Sequence, residues 1–158
     1  MFREIKKKKN EISMDEAKAL LSSARRGVLS VNGDEGYPYG VPVNYLYDQE
    51  EGKIYFHGSA SGHKADAIAK DNRVCFTVIG EEQIKDETWA PYLKSVVAFG
   101  RCRILEDREE IISRLRKFAS KYYPNREMVE DEIVMSGDAV SIFEITIEHI
   151  SGKQVQER

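Results

Sequence analysis

The sequence predicts an α+β fold, in which one domain is built around an antiparallel sheet or barrel with helices inserted between the strands. The chain has 158 residues, of which 41% are hydrophobic and 32% charged, and this is enough for a single core. Strand-like segments follow one another through short turns, which is typical of antiparallel pairing. Helical segments interrupt this series only occasionally, so the regular strand–helix alternation of a Rossmann-type sheet is absent.

Charge and composition argue against several classes of partner. The net charge is −3, which does not favour nucleic acid, and the basic run KKKK at residues 6–9 is short. We expect residues 1–12 to form a mobile N-terminal arm. No apolar segment approaches the ~20 residues that span a bilayer, and the first residues lack the apolar stretch of a secretory signal. A cytoplasmic protein without membrane association is therefore predicted, with Cys75 and Cys102 as reduced, buried thiols.

The first half of the chain predicts two helices and three strands. Ser13 is followed three residues later by Glu16, which matches a capping box, and apolar residues recur behind it at helical spacing. NGDEG is a hairpin turn signal between two runs of strand-forming residues. In chain order, the predicted elements are a helix over 13–24, strands over 28–31, 38–47 and 52–58, and a helix over 62–70.

The second half predicts three strands and two helices. RVCFTVIG is rich in β-branched and aromatic residues, whereas EEQIKDETWAP is polar and irregular and is interpreted as a loop. Gly100 is expected to bend the long strand that contains it. Asp107 and Glu110 repeat the capping-box spacing and start a helix that reaches about Tyr122. A short helix over 124–134 and a last strand over 139–153 follow. Three cations of the longer helix are expected to be solvated: Arg114, Lys117 and Lys121.

The segment YFHGSASGHKADAIAKDN, Tyr55 to Asn72, passes from a strand to a helix through small residues. A helix N-terminus carries unpaired N–H groups and partial positive charge, and the hydroxyl of Ser59 can donate a hydrogen bond to an anion. The positive charge of Lys64 in the first turn is unfavourable beside the positive end of the helix dipole. An anion bound between the two would offset this repulsion. The alternative is a flexible turn in which Ser61 caps the helix and Lys64 points to water. These residues alone leave both interpretations open.

Two of the three histidines lie in this segment. His57 ends the strand, where it either bonds to backbone or faces the same ligand as His63. A metal site would need a third ligand, and no HxH, HExxH or acidic cluster supplies one nearby, so no metal is predicted. His149 lies in the last predicted strand and is interpreted as structural.

Four segments in order carry a family resemblance. GYPYGVPVNY, IYFHGSASGHK, NRVCFTV and SVVAFGRCRILED together resemble the pyridoxamine 5′-phosphate oxidase-like flavin-binding family. Within it, the chain is most similar to the branch that contains the nitroimidazole-resistance (Nim-type) proteins. The likeness covers about residues 26–115. The arginine-rich C-terminal substrate region of the pyridoxamine oxidases proper has no counterpart that aligns with GKQVQER, so the resemblance does not imply pyridoxal phosphate synthesis.

The resemblance implies a split β-barrel with flanking helices that forms a homodimer and binds FMN in two equivalent grooves at the subunit interface. By that likeness, one strand lines the isoalloxazine ring with Val41, Pro42, Val43 and Asn44. The strand-to-helix segment surrounds the phosphate with His57, Ser59, Gly62, His63 and Lys64. A neighbouring strand, of the second subunit, approaches with Trp89, Tyr92, Ser95 and Val96.

This likeness implies an FMN-dependent oxidoreductase that passes electrons from NADH or NADPH to a small acceptor, for which a nitroaromatic compound is one possibility. The sequence marks no catalytic acid or base. The alternative is a flavin- or haem-binding module without turnover, serving storage, sensing or partner contact, in which His57 or His63 would be an axial haem ligand.

Overall fold

The computed structural model describes residues 1–84, 87, 91–136 and 140–156, so Trp89 lies outside the described residues. Four α-helices and eight strands occur in these ranges. In chain order they are α1 (Met14–Ser23), β1 (Arg26–Asn32), β2 (Pro38–Asn44), β3 (Leu46–Asp48), β4 (Lys53–Gly58), α2 (His63–Lys70), β5 (Arg73–Ile79), β6 (Gln83–Ile84), β7 (Pro91–Ile104), α3 (Arg108–Tyr122), α4 (Arg126–Ser136) and β8 (Ser141–Gln156).

All the strands join one antiparallel sheet, in the order β2-β1-β5-β7-β8-β4-β3, with β6 paired to β7. β2 and β3 form opposite edges of this sheet, yet only Tyr45 separates them in the chain. The sheet must therefore curl until its two edges meet at Tyr45. The predicted α+β architecture, an antiparallel split barrel with flanking helices, is confirmed.

The second predicted strand is wrong in one respect, because Tyr45 divides it into β2 and β3. The ring of Tyr45 is fully buried, and its hydroxyl donates to the carbonyl of Leu21 at 2.6 Å. Its backbone N–H donates to the hydroxyl of Tyr122 on α3 at 2.9 Å. These bonds come from elements distant in the sequence, so local alternation does not reveal the break. The predicted loop over EEQIKDETWAP likewise contains the short strand β6, whose Gln83 pairs with Tyr92.

Two hydrophobic cores stabilise the fold. The larger fills the barrel, where the rings of Phe56 and Phe143 stack with centroids 4.8 Å apart. The smaller lies under α3 and includes the fully buried Tyr55 and Ile142. Both cysteines are free thiols as predicted, but only Cys102 is buried, and Cys75 is half-buried. Burial raises the pKa of the Cys102 thiol to about 12.

The segment before α1 packs on β8. Glu11 forms a bridge with Lys153, and the N–H of the buried Ile12 donates to the carbonyl of Gly152 at 3.1 Å. Farther along β8, His149 stacks on Phe2 with ring centroids 4.8 Å apart. The mobility of residues 1–12 stays a prediction. Among the described residues, no helix is both long enough and apolar enough to cross a membrane.

The expectation of solvated cations on α3 is wrong for two of the three residues. The side chain of Arg114 is 13% exposed and donates to Glu51 at 3.0 Å. Lys121 is half-buried and donates to the carbonyls of Ala24 at 2.6 Å and Tyr45 at 3.1 Å. Helical periodicity identifies the apolar face of α3, but it does not show which groups of other elements face its edges.

Candidate functional site

The junction between β4 and α2 has an unusual helix start. Gly62 occupies the N-cap position at φ +100°, and no side chain of the described residues accepts a hydrogen bond from the first turn of α2. Ser61 donates its N–H to the hydroxyl of Ser59 at 3.2 Å, and the two hydroxyls lie 3.0 Å apart. Ser61 therefore does not cap α2, and the interpretation of the sequence in which it does is wrong. The N-terminal N–H groups of α2 remain available to an external acceptor.

Lys64 lies back across the end of β4 instead of extending into water. Its ammonium is 5.0 Å from the ring centre of Phe143 and 5.4 Å from that of Phe56. A Cβ at Gly58 would lie only 2.6 Å from the Lys64 Nζ, so a larger residue at this position would displace the end of the lysine side chain. Burial lowers the pKa of Lys64. In the described part of the chain, no carboxylate pairs with this ammonium, so the junction holds an unneutralised cation beside an uncapped helix.

The two histidines of the junction diverge. His63 stacks on Tyr39 of β2 with ring centroids 4.2 Å apart, and its Nε2 lies 3.7 Å from a carboxylate oxygen of Asp34. His57 packs edge-on against Phe118 of α3 at 5.0 Å, and burial together with nearby Lys64 lowers its pKa. Within the described ranges, no three His, Cys, Asp or Glu side chains come together as metal ligands.

β2 connects this junction to the other end of the molecule. Val41 and Val43 pack toward the core, while Pro42 is exposed on the opposite face of this edge strand. At the end of β2, the side-chain oxygen of Asn44 accepts a hydrogen bond from Arg26 Nε at 3.3 Å. The Tyr39–His63 stack lies near the start of β2, so an elongated ligand could follow the strand for ~17 Å.

The structure does not bring the β7 residues to the junction. Phe143, which contacts Lys64, is paired with Ile104 at one end of β7, whereas Ser95 lies near the other end, ~30 Å away along the strand. Val96 is fully buried, so its side chain faces the core of its own barrel rather than a ligand groove. Tyr92 hydrogen-bonds to Gln154. One chain therefore collects the β2 and β4–α2 groups but not the β7 group.

Sequence reasoning missed a cationic cluster near Tyr45. Arg25 and Arg26 at the start of β1 lie beside Lys121 and Tyr122 of α3. The RR dipeptide was the only available signal, and nothing in the sequence connects it to a helix almost 100 residues later.

The family model for pyridoxamine 5′-phosphate oxidase matches residues 13–154, nearly the whole chain. The chain belongs to this family. The resemblance inferred from the sequence is therefore confirmed. No curated protein is similar enough in sequence to count as a match.

Solved structures share the fold. A candidate 5-nitroimidazole antibiotic resistance protein from Bacteroides thetaiotaomicron superposes with a TM-score of 0.78 at 19% identity, covering 92% of this chain and 87% of that one. An FAD-binding protein from Mesorhizobium loti gives 0.65 at 26% identity, covering 92% and 96%. An FAD- and haem-binding protein from Mycobacterium smegmatis gives 0.69 at 15% identity, covering 89% and 70%.

Proposed function

We propose that this protein binds FMN and acts as an oxidoreductase that passes electrons from NADH or NADPH to a small acceptor, with nitroaromatic compounds as a candidate class. The observation that carries the proposal is the β4–α2 junction, where an uncapped helix N-terminus lies beside the unneutralised Lys64. Membership of the family and the flavin named for the Mesorhizobium loti neighbour support a flavin as the ligand.

The residues of the junction and of β2 fit FMN. The phosphate would accept hydrogen bonds from the N–H groups that follow Gly62, from the hydroxyl of Ser59 and from Lys64. His63 would lie beside it, whereas His57 faces α3. The ring would lie along the edge of β2, against its backbone and the amide of Asn44. When bound, a flavin supplies hydride and electron transfer, and the protein supplies position, charge and exclusion of water.

A second copy of the chain would complete the site, because one chain keeps the β7 residues apart from the junction. The outer face of the sheet supports such a homodimer, since two cross-strand rows on it contain no Lys, Arg, Asp or Glu. The rows are Pro42, Val28, Thr77, Val97 and Ser151, and Gly40, Ser30, Cys75, Phe99 and His149. Only the second row is partly covered within the described chain, by Phe2. An uncharged face five strands wide is suited to pairing with its own copy.

Replacing Lys64 is expected to weaken FMN binding selectively. Loss of one charge-assisted hydrogen bond in Lys64→Ala should raise the FMN dissociation constant about 10- to 100-fold. Affinity for riboflavin, which lacks the phosphate, should change much less. Lys70→Ala is the matched control, because Lys70 lies at the far end of α2, is 70% exposed and bonds to Asp34. Fluorescence titration of each variant checks this, and unchanged FMN affinity in Lys64→Ala would refute this location for the phosphate.

Placing a carboxylate on the outer face is expected to dissociate the homodimer. Val97 lies within the first uncharged row, between Thr77 and Ser151, so Val97→Glu would bury a charge in the interface. Light scattering should then report the mass of one chain, and FMN affinity should fall at least 10-fold, because β7 of the partner is lost. Val134→Glu makes the same exchange on α4 at an 85% exposed position and should remain dimeric. A dimeric Val97→Glu variant would contradict this interface.

A further inference from the structure

A cavity of about 850 Å³ lies at the end of the barrel opposite the β4–α2 junction. The end of α1, the start of β1, the end of β5 and the start of β7 line it, and it is open to solvent on one side. Leu20, Ile79 and Tyr92 give it apolar walls, and Arg25 and Arg26 provide cationic groups. Its volume lies within the ~300–1,000 Å³ typical of sites for small organic molecules.

Both arginines are exposed residues whose side chains contact neighbouring groups, and neither forms an ion pair within the described ranges. The Arg25 guanidinium lies 5.0 Å from the ring centre of Tyr122, whose hydroxyl also donates to the Arg25 carbonyl at 2.6 Å. Arg26 is paired with Asn44 in the β1–β2 ladder and donates to its side chain through Nε. These contacts position the two guanidinium groups and leave their terminal N–H groups available to a ligand.

The absence of carboxylate partners distinguishes this pair from three arginines of β5, β7 and α3. Arg73 bonds to Asp71, Arg101 to Glu148, and Arg116 to Glu130, each at 2.9 Å or less, as donors in ion pairs. Neither Arg25 nor Arg26 has such a partner in the described ranges.

Neighbouring charges do not neutralise the pair. Lys121 lies behind Arg25, and burial together with that guanidinium lowers its pKa to about 8. Of the other charged groups lining the cavity, Lys94 is paired with Glu16 at 2.8 Å. Glu81 contributes a carboxylate, which forms no ion pair with either arginine within the described ranges. The cavity therefore combines apolar walls with a positioned, uncompensated cation pair.

We infer that this cavity binds a small organic anion, a carboxylate or phosphate attached to an aromatic or other apolar body. The anionic group would accept hydrogen bonds from Arg25 and Arg26, and the apolar body would lie against Leu20, Ile79 and Tyr92. This site lies at the opposite end of the barrel from the phosphate position at α2, and it adjoins the part of β2 along which the flavin ring would lie. The hydrogen bond between Arg26 and Asn44 joins it to the end of β2.

Three ligands with the same ring and different head groups test the inference: benzoate, phenyl phosphate and benzamide. Titration by NMR of the full chain, observing the Arg Nε–H signals, should show benzoate or phenyl phosphate binding at least 10-fold more tightly than neutral benzamide. The better of the two anions identifies the head group. Equal binding of benzamide, or no binding by either anion, would overturn the inference.

The double variant Arg25→Gln, Arg26→Gln should weaken binding of the preferred anion about 10- to 100-fold, as expected for lost charge-assisted hydrogen bonds. Arg73→Gln is the matched control, because Arg73 is exposed, lies in the same sheet and is already paired with Asp71. If the double variant binds the anion with the affinity of the unchanged protein, the two arginines do not form the site. Fluorescence titration with FMN, run in parallel, should give the same affinity for the control and the unchanged protein.

Discussion

Gly100→Ala is expected to destabilise the protein by about 3 kcal/mol or more, an effect at the upper end for overpacking. A Cβ at this position would lie 2.3 Å from the backbone oxygen of Thr146 and 2.9 Å from the Cγ2 of Ile145. The pairing of β7 with β8 shifts register between Phe99 and Gly100, so the two backbones approach closely at the bulge. Backbone atoms cannot move aside as a flexible side chain can, and the ladder must open instead. Urea unfolding measures the change.

Gly40→Ala provides the control for this substitution. A Cβ at Gly40, in β2 of the same sheet, would make ordinary contacts at 3.6 Å with Ser30 and Val28. Its stability should stay within about 1 kcal/mol of the original protein, because lost unfolded-state entropy partly offsets any cost. Equal free energies of unfolding for the two variants would mean that β7 and β8 do not approach closely at Gly100.

Glu144→Gln is expected to cost about 2–4 kcal/mol of stability, because it removes a buried charge that several donors share. The side chain of Glu144 is only 2% exposed. It accepts hydrogen bonds from Arg103 at 2.8 Å, Lys53 at 3.2 Å and the Tyr55 hydroxyl at 3.0 Å. Glu148→Gln, on the same strand, breaks a 2.9 Å ion pair with Arg101 that is largely exposed, and should cost under about 1 kcal/mol.

The contribution of Glu144 should also depend on pH. Burial alone would raise its pKa, but the hydrogen bonds from Arg103, Lys53 and Tyr55 outweigh burial, and the pKa lies below its ordinary value. A carboxyl whose pKa is lowered by folding stabilises the protein above the pKa of the unfolded chain and loses that effect as pH falls through the folded pKa. The stability difference between the original protein and Glu144→Gln should therefore be full at pH 7 and shrink below about pH 4. A difference independent of pH would contradict this role.

Local signals in the sequence predicted most of the fold. The capping box of Ser13 and Glu16 forms as expected, with both reciprocal hydrogen bonds present. Asp107 caps α3 at the predicted residue, and the strand in which Gly100 was expected to cause a bend has its register shift between Phe99 and Gly100. Such features depend on residues three or four apart, or on one residue type, so a short stretch of sequence is enough to predict them. The break at Tyr45 depends on Leu21 and Tyr122 and has no local signal.

The features of the candidate site also divide into those that local sequence signals predicted and those that depend on elements distant in the chain. The β4–α2 junction was predicted as an anion site because glycine, serine and lysine at a helix start favour the binding of an anion. The position of the Lys64 ammonium over two aromatic rings was not predicted, because one of these rings belongs to Phe143, on a strand about 80 residues later in the chain. Arg25, Arg26 and Lys121 were missed for the same reason. Their significance comes from the lack of an ion-pairing carboxylate among the described residues, which only the folded chain reveals.

The visible absorption spectrum of the purified protein, followed by titration of any colourless fraction with FMN and with riboflavin, tests the central claim most directly. Two flavin bands, with FMN bound at least about 10-fold more tightly than riboflavin, are the predicted result, because a phosphate would meet Lys64 and the N-terminus of α2. A protein that does not bind FMN, or one whose spectrum shows the Soret band of haem instead, would contradict this claim.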